Sequence, residues 1–70
     1  MSMFHEETIF NYHGEHFKLS IHRGLPYVGL ENLTNQDESV FYQGEMVYEL
    51  FPDFDEIDEK EIFIELLSYL

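Results

Sequence analysis

Glu7-Thr8-Ile9-Phe10-Asn11-Tyr12-His13-Gly14-Glu15-His16-Phe17-Lys18-Leu19-Ser20-Ile21-His22-Arg23 is the stretch that decides the fold. Two runs, 7–12 and 16–23, alternate apolar and polar side chains, the pattern of a strand with one buried face. His13-Gly14-Glu15-His16 lies between them, and Gly14 suits the first central position of a two-residue type II′ turn. Counting outward from that turn, Tyr12 opposes Phe17, Phe10 opposes Leu19 and Thr8 opposes Ile21, giving one face that is almost wholly apolar. On the other face His13 opposes His16, Asn11 Lys18, Ile9 Ser20 and Glu7 His22. A slip of one residue would mix the two faces, so the pattern predicts an antiparallel hairpin that lays one side on a core.

Further along, Gly24-Leu25-Pro26 is turn chemistry and Tyr27 to Leu33 reads as a third strand. Gly29 within it suggests a bulge or a close backbone approach. Residues 34–39 form a polar loop, and Val40 to Gln43 reads as a fourth strand closed by Gly44. The remainder is helical. From Glu45 to Phe51, the residues Met46, Val47, Leu50 and Phe51 make an apolar stripe that Pro52 ends, although a short strand also fits there. Asp58 stands as N-cap of a last helix, with Glu61 at capping-box spacing and Ile57 and Ile62 in the staple positions. Ile62, Phe63, Leu66, Leu67 and Leu70 form its buried stripe. The expected fold is α+β: an antiparallel sheet of three or four strands packed by a C-terminal helix, in one domain spanning 1–70. Strands occupy 7–43 and an acidic helical part occupies 45–70.

Charge divides unevenly between those parts. The chain has fifteen acids against three bases in seventy residues, a net charge of −12. Residues 1–30 are nearly neutral, whereas nine acids fall between Glu45 and Glu65 with Lys60 as the only base. A surface so negative repels nucleic acid and anionic membranes and attracts basic protein surfaces. Seven Phe and five Tyr, with spaced Ile, Leu and Val, distinguish the chain from a disordered acidic tail. The absence of cysteine excludes disulfides, a thiol nucleophile and Cys-based zinc sites. No apolar run approaches the ~20 residues of a membrane span, and the first residues lack a basic, hydrophobic signal sequence. The expectation is a soluble, cytoplasmic protein.

Candidate sites follow from these features. An EF-hand loop beginning at Asp53 would need a ligand at 57, a glycine at 58 and a glutamate at 64, but Ile57, Asp58 and Ile64 stand there. His13 and His16 flank the turn, while His22 lies too far along its strand to complete a metal site with them. Catalysis has no support: there is no nucleophile elbow around Ser20 or Ser39, no glycine-rich phosphate loop and little room for a concave pocket. No metal, cofactor or enzymatic activity is therefore expected.

Acids at a helix N-terminus serve the helix dipole and solubility, which accounts for three or four of them. Nine in twenty-one residues exceeds that need, and crowded carboxylates destabilise a small domain. Glu61 and Glu65 at i, i+4 project as a row about 6 Å apart, comparable to phosphates along one strand of a duplex. A groove that takes nucleic acid would accept such a row, exchanging phosphate for carboxylate contacts. The profile as a whole (short, cysteine-free, strongly acidic, α+β) resembles phage- or plasmid-encoded inhibitors that mimic nucleic acid. That resemblance is compositional and carries no motif from which a residue role follows.

The leading expectation is a non-enzymatic inhibitor or modulator that occupies the basic nucleic-acid-binding surface of a partner protein. Its candidate contacts are Glu49, Asp53, Asp55, Glu56, Asp58, Glu59, Glu61 and Glu65, with Phe54 as an apolar anchor. The rival is an accessory or assembly protein that docks through an apolar surface or as a homodimer, its charge serving solubility. Salt separates the two, because contacts between opposite charges weaken steeply with ionic strength and an apolar interface hardly responds.

Overall fold

The alternation in the first part of the chain does produce a hairpin. A computed structural model describes residues 5–70, with β1 (His5–Tyr12), β2 (Glu15–His22), β3 (Tyr27–Asn32) and β4 (Ser39–Gln43) followed by α1 (Glu45–Leu50) and α2 (Glu59–Leu67). The strands form a single sheet in the order β1-β2-β3-β4, each antiparallel to its neighbour. Phe17, Leu19, Ile21, Val28 and Leu30 point from β2 and β3 to one face, where Val47, Ile62, Phe63 and Leu66 of the two helices close over them. The opposite face of the sheet has no covering layer among the described residues. This is an α+β fold with helices segregated to one side of an antiparallel sheet.

The first turn differs from the sequence expectation. His13 and Gly14 are its central residues, with φ of 52° and 78°, so it is type I′ rather than type II′ about Gly14-Glu15. The register consequently moves by two: Phe10 opposes Phe17, Thr8 opposes Leu19, Tyr12 opposes Glu15 and Ile9 opposes Lys18. His13, expected opposite His16, becomes a turn residue and Asn11 takes that place, but the strand side chains stay on their expected faces, because a shift of two preserves the alternation that a shift of one destroys. Hydrophobic pattern thus sets the parity of the register, and the turn backbone sets its value. The observed register places Phe10 where its ring stacks on Phe63 of α2, with centroids 4.3 Å apart and planes within 8°.

Gly29 lies in unbroken ladders, opposite Ser20 on one side and Phe41 on the other, so there is no bulge. The close approach there comes from a side chain. A Cβ at residue 29 would lie 2.9 Å from the Tyr27 hydroxyl, since the Tyr27 ring lies over the glycine. Tyr27 in turn stacks on Phe41, with centroids 6.1 Å apart.

In the helical layer, Phe51 and Phe54 are both buried, at 2% and 0% exposure, although their position around Pro52 argued against burying both. Backbone bonds explain the difference. The Phe51 N–H reaches the Val47 carbonyl at 2.8 Å, the Phe54 N–H reaches that of Phe51 at 3.0 Å, and the Glu56 and Ile57 N–H groups both reach that of Asp53 at 2.9 Å. These successive turns reverse the chain and carry both rings beneath it. Met46 instead turns outward from α1, and Leu70 lies exposed beyond the end of α2. Asp58 is the N-cap of α2, its carboxylate accepting from the Lys60 N–H at 3.3 Å rather than from Glu61.

Candidate partner-binding surface

The acidic residues expected to bind a partner all belong to the helical layer. Glu49 is on α1, Asp53, Asp55 and Glu56 lie on the turns joining the helices, Asp58 caps α2, and Glu59, Glu61 and Glu65 are on α2. Glu59 is half-buried and the other seven are exposed. Helical geometry from Glu59 to Leu67 keeps Glu61 and Glu65 one turn apart, with Ile64 exposed between them in sequence.

Internal hydrogen bonds divide these acids into two sets. Glu59 accepts from the Thr8 hydroxyl at 2.9 Å, tying α2 to strand β1. Asp55 accepts from the Tyr48 hydroxyl at 3.2 Å, Glu65 from that of Tyr69 at 3.0 Å, and Asp58 caps its helix. Among the described residues the side chains of Glu49, Asp53, Glu56 and Glu61 make no hydrogen bond or ion pair. The phenols register their acidic neighbours. Tyr48 is pushed above its ordinary value of 10.0, first by desolvation and then by its bond to Asp55 and the charge there. Tyr69 is raised chiefly by its hydrogen bond to Glu65, with desolvation and that carboxylate's charge adding to it.

The few cations do not neutralise this layer. Among the described residues, the charge pairs are Lys18 with Glu31 at 4.0 Å, Arg23 with Glu6 at 3.9 Å, and a His5–Glu7 contact at 3.1 Å. All of them lie within residues 5–31. Arg23 does reach the acidic segment, but it addresses the backbone. Its guanidinium donates to the Phe54 carbonyl and, at 2.9 Å, to that of Ile57, and lies 5.2 Å from the centroid of the Phe54 ring. The only arginine in the chain therefore fixes the path of residues 54–57 while forming no ion pair with Asp53, Asp55 or Glu56. Its partners lie 31 and 34 residues away, a separation that no sequence pattern reveals.

Phe54 itself is a core residue and does not serve as an exposed anchor. It is fully buried between the Arg23 guanidinium and the edge of Tyr48, whose ring centroid is 5.8 Å away. The exposed apolar side chains in the acidic layer are Met46, Tyr48, Ile64, Tyr69 and Leu70, of which Ile64 is the most exposed.

A second feature absent from the sequence reading lies at the end of β3. Asn32 is fully buried, and both polar atoms of its side chain are engaged. Its amide nitrogen donates to Glu15 at 3.1 Å and Glu38 at 3.0 Å, while its side-chain oxygen accepts the N–H groups of Thr34 and Asn35, both at 2.9 Å. One carboxamide thereby links the hairpin to the 33–38 loop, and its donors sit between two carboxylates that would otherwise repel.

A shallow depression of about 270 Å³ on the uncovered sheet face is lined by Lys18, Ser20, Tyr27, Gly29, Glu31, Ser39 and Phe41. Among the described residues no group of three or more His, Asp or Glu is placed to hold a metal ion, and no helix is long and apolar enough to cross a membrane. No protein-family model, no curated protein and no solved structure matches the chain.

Proposed function

We propose that the protein is a non-enzymatic inhibitor or modulator whose helical layer occupies the basic, nucleic-acid-binding surface of a partner protein. One observation carries this reading. Nine acids from Glu45 to Glu65 share the helical layer with no ion pair among the described residues: Lys60, the one base in that stretch, pairs with none of them, and Arg23 reaches the layer only at the Phe54 and Ile57 carbonyls. Unpaired charge held on a folded layer raises the energy of the free protein and is relieved when a basic surface supplies the missing cations. Ile64, exposed between Glu61 and Glu65, takes the apolar anchoring role that Phe54 does not fill.

Glu49, Asp53, Glu56 and Glu61 allow a clean test, since their side chains support no internal contact among the described residues. The variant E49Q/D53N/E56Q/E61Q removes four charges and keeps the shape. Proteins captured from a bacterial lysate by the wild type should include a nucleic-acid-binding protein that excess duplex DNA displaces. The variant should fail to capture it. Capture that is indifferent to DNA and equal for both proteins would sink the proposal.

A further inference from the structure

We infer that β4 is a self-association edge, through which two copies of this chain pair antiparallel and continue their sheets into one. This inference is independent of the acidic surface and concerns the opposite kind of surface. β4 (Ser39-Val40-Phe41-Tyr42-Gln43) is the only helix or strand among the described residues that contains no Asp, Glu, Lys or Arg. It is also an edge strand, paired with β3 alone. None of its residues is fully buried, and none of its outward main-chain groups is hydrogen-bonded by another described residue.

Natural edges are blunted by charges, proline, a bulge or a covering element. The other edge, β1, follows that rule with Glu6 and Glu7 and with Thr8 tied to Glu59. β4 has no charge, no proline and an unbroken register. In a molecule of net charge −12, like charges oppose contact between copies over most of the surface. The uncharged edge is where two copies meet without setting carboxylate against carboxylate.

The second copy fits because β4 is self-complementary about its middle residue. An antiparallel pair centred there sets Phe41 against Phe41, Val40 against Tyr42 and Ser39 against Gln43. Phe41, 61% exposed on the uncovered face, meets its own counterpart, while the half-buried Val40 and Tyr42 extend the core face. A five-residue pairing of this kind buries less than the roughly 1,200 Å² of a stable specific interface, so the dimer is weak, with a dissociation constant on the order of 100 μM. Because the copies repel elsewhere, salt tightens this dimer, the reverse of its effect on binding to a basic partner.

Sedimentation equilibrium tests the inference. The weight-average mass should rise from 8.4 kDa toward twice that value with concentration, and more steeply in high salt. Phe41→Lys and Phe41→Glu should each stay monomeric, with far-UV circular dichroism confirming that they are folded. An equimolar mixture of the two should recover the dimer, since the opposed residues then carry opposite charges. Ile9→Lys, which places the same charge on the same face but on β1, should dimerise as the wild type does. A wild type that stays monomeric at every concentration and salt, a mixture that fails to recover the dimer, or an Ile9→Lys variant as impaired as Phe41→Lys would each overturn it.

Discussion

Replacing Asn32 by aspartate changes one NH2 group into an oxygen and leaves shape almost untouched. The two bonds it loses run to Glu15 at 3.1 Å and Glu38 at 3.0 Å. Hydrogen bonds to charged acceptors contribute about 1.5–3 kcal/mol each. In their place stand two oxygen–oxygen contacts between like charges, for which Coulomb's law at an effective dielectric near 20 gives roughly 5 kcal/mol apiece as a ceiling. Glu15 and Glu38 are half-buried and can swing toward water, which removes most of that repulsion but not the lost bonds. The remaining oxygen still accepts from Thr34 and Asn35. A net loss of about 3–5 kcal/mol at neutral pH follows, against a total stability of about 4–10 kcal/mol for a domain of this length. Urea unfolding followed by circular dichroism measures it. A carboxyl wedged between carboxylates holds its proton more tightly when folded than unfolded, so the penalty is full at neutral pH and fades as the pH falls toward the ordinary carboxylate range near 4. N32D/E15Q should regain about half the loss at neutral pH and N32D/E15Q/E38Q most of it, because each new carboxamide donates back to Asp. If N32D matched the wild type within about 1 kcal/mol, or if neither glutamine variant recovered any stability, Asn32 would not be the hub described above.

Three other outcomes are expected. Arg23→Met keeps the apolar stem beside Phe54 but deletes the donors to the Phe54 and Ile57 carbonyls, and should cost about 2–3 kcal/mol in urea unfolding; a loss below ~0.5 kcal/mol would show the clamp to be dispensable. The E49Q/D53N/E56Q/E61Q variant should unfold at higher urea than the wild type, by about 1 kcal/mol in dilute buffer, and the difference should vanish in high salt; a gain independent of salt would point away from charge repulsion. In alkaline titration followed by phenolate absorbance, Tyr48 and Tyr69 should ionise above the ordinary 10.0. Their protons are held more tightly folded than unfolded, so the stability they contribute is complete below about pH 10 and is lost as the pH rises through their folded values. Tyr48→Phe with Tyr69→Phe should remove the late-titrating component, and an unchanged titration curve would refute the assignment.

Local chemistry in the sequence was enough to determine much of this protein. Alternation placed Thr8, Phe10, Phe17, Leu19 and Ile21 on one face, turn residues separated four strands, and Asp58 marked the start of α2. The concentration of acids in the helical part was equally visible, because composition needs no coordinates. Tertiary structure decided everything that depends on contacts distant along the chain. The register of the first hairpin is one case, since alternation repeats every second residue and only the backbone of His13-Gly14 selects among the allowed shifts. Phe54 is another: an aromatic ring in an acidic turn is anchor or core according to whether the turn folds beneath the chain. Arg23 and Asn32 are the strongest cases. Their partners are backbone carbonyls and side chains brought near only by the folded sheet, and a hydrogen bond leaves no periodicity in sequence. Patterning therefore chose the layers, and geometry chose which polar groups would be spent inside them and which acids would remain free.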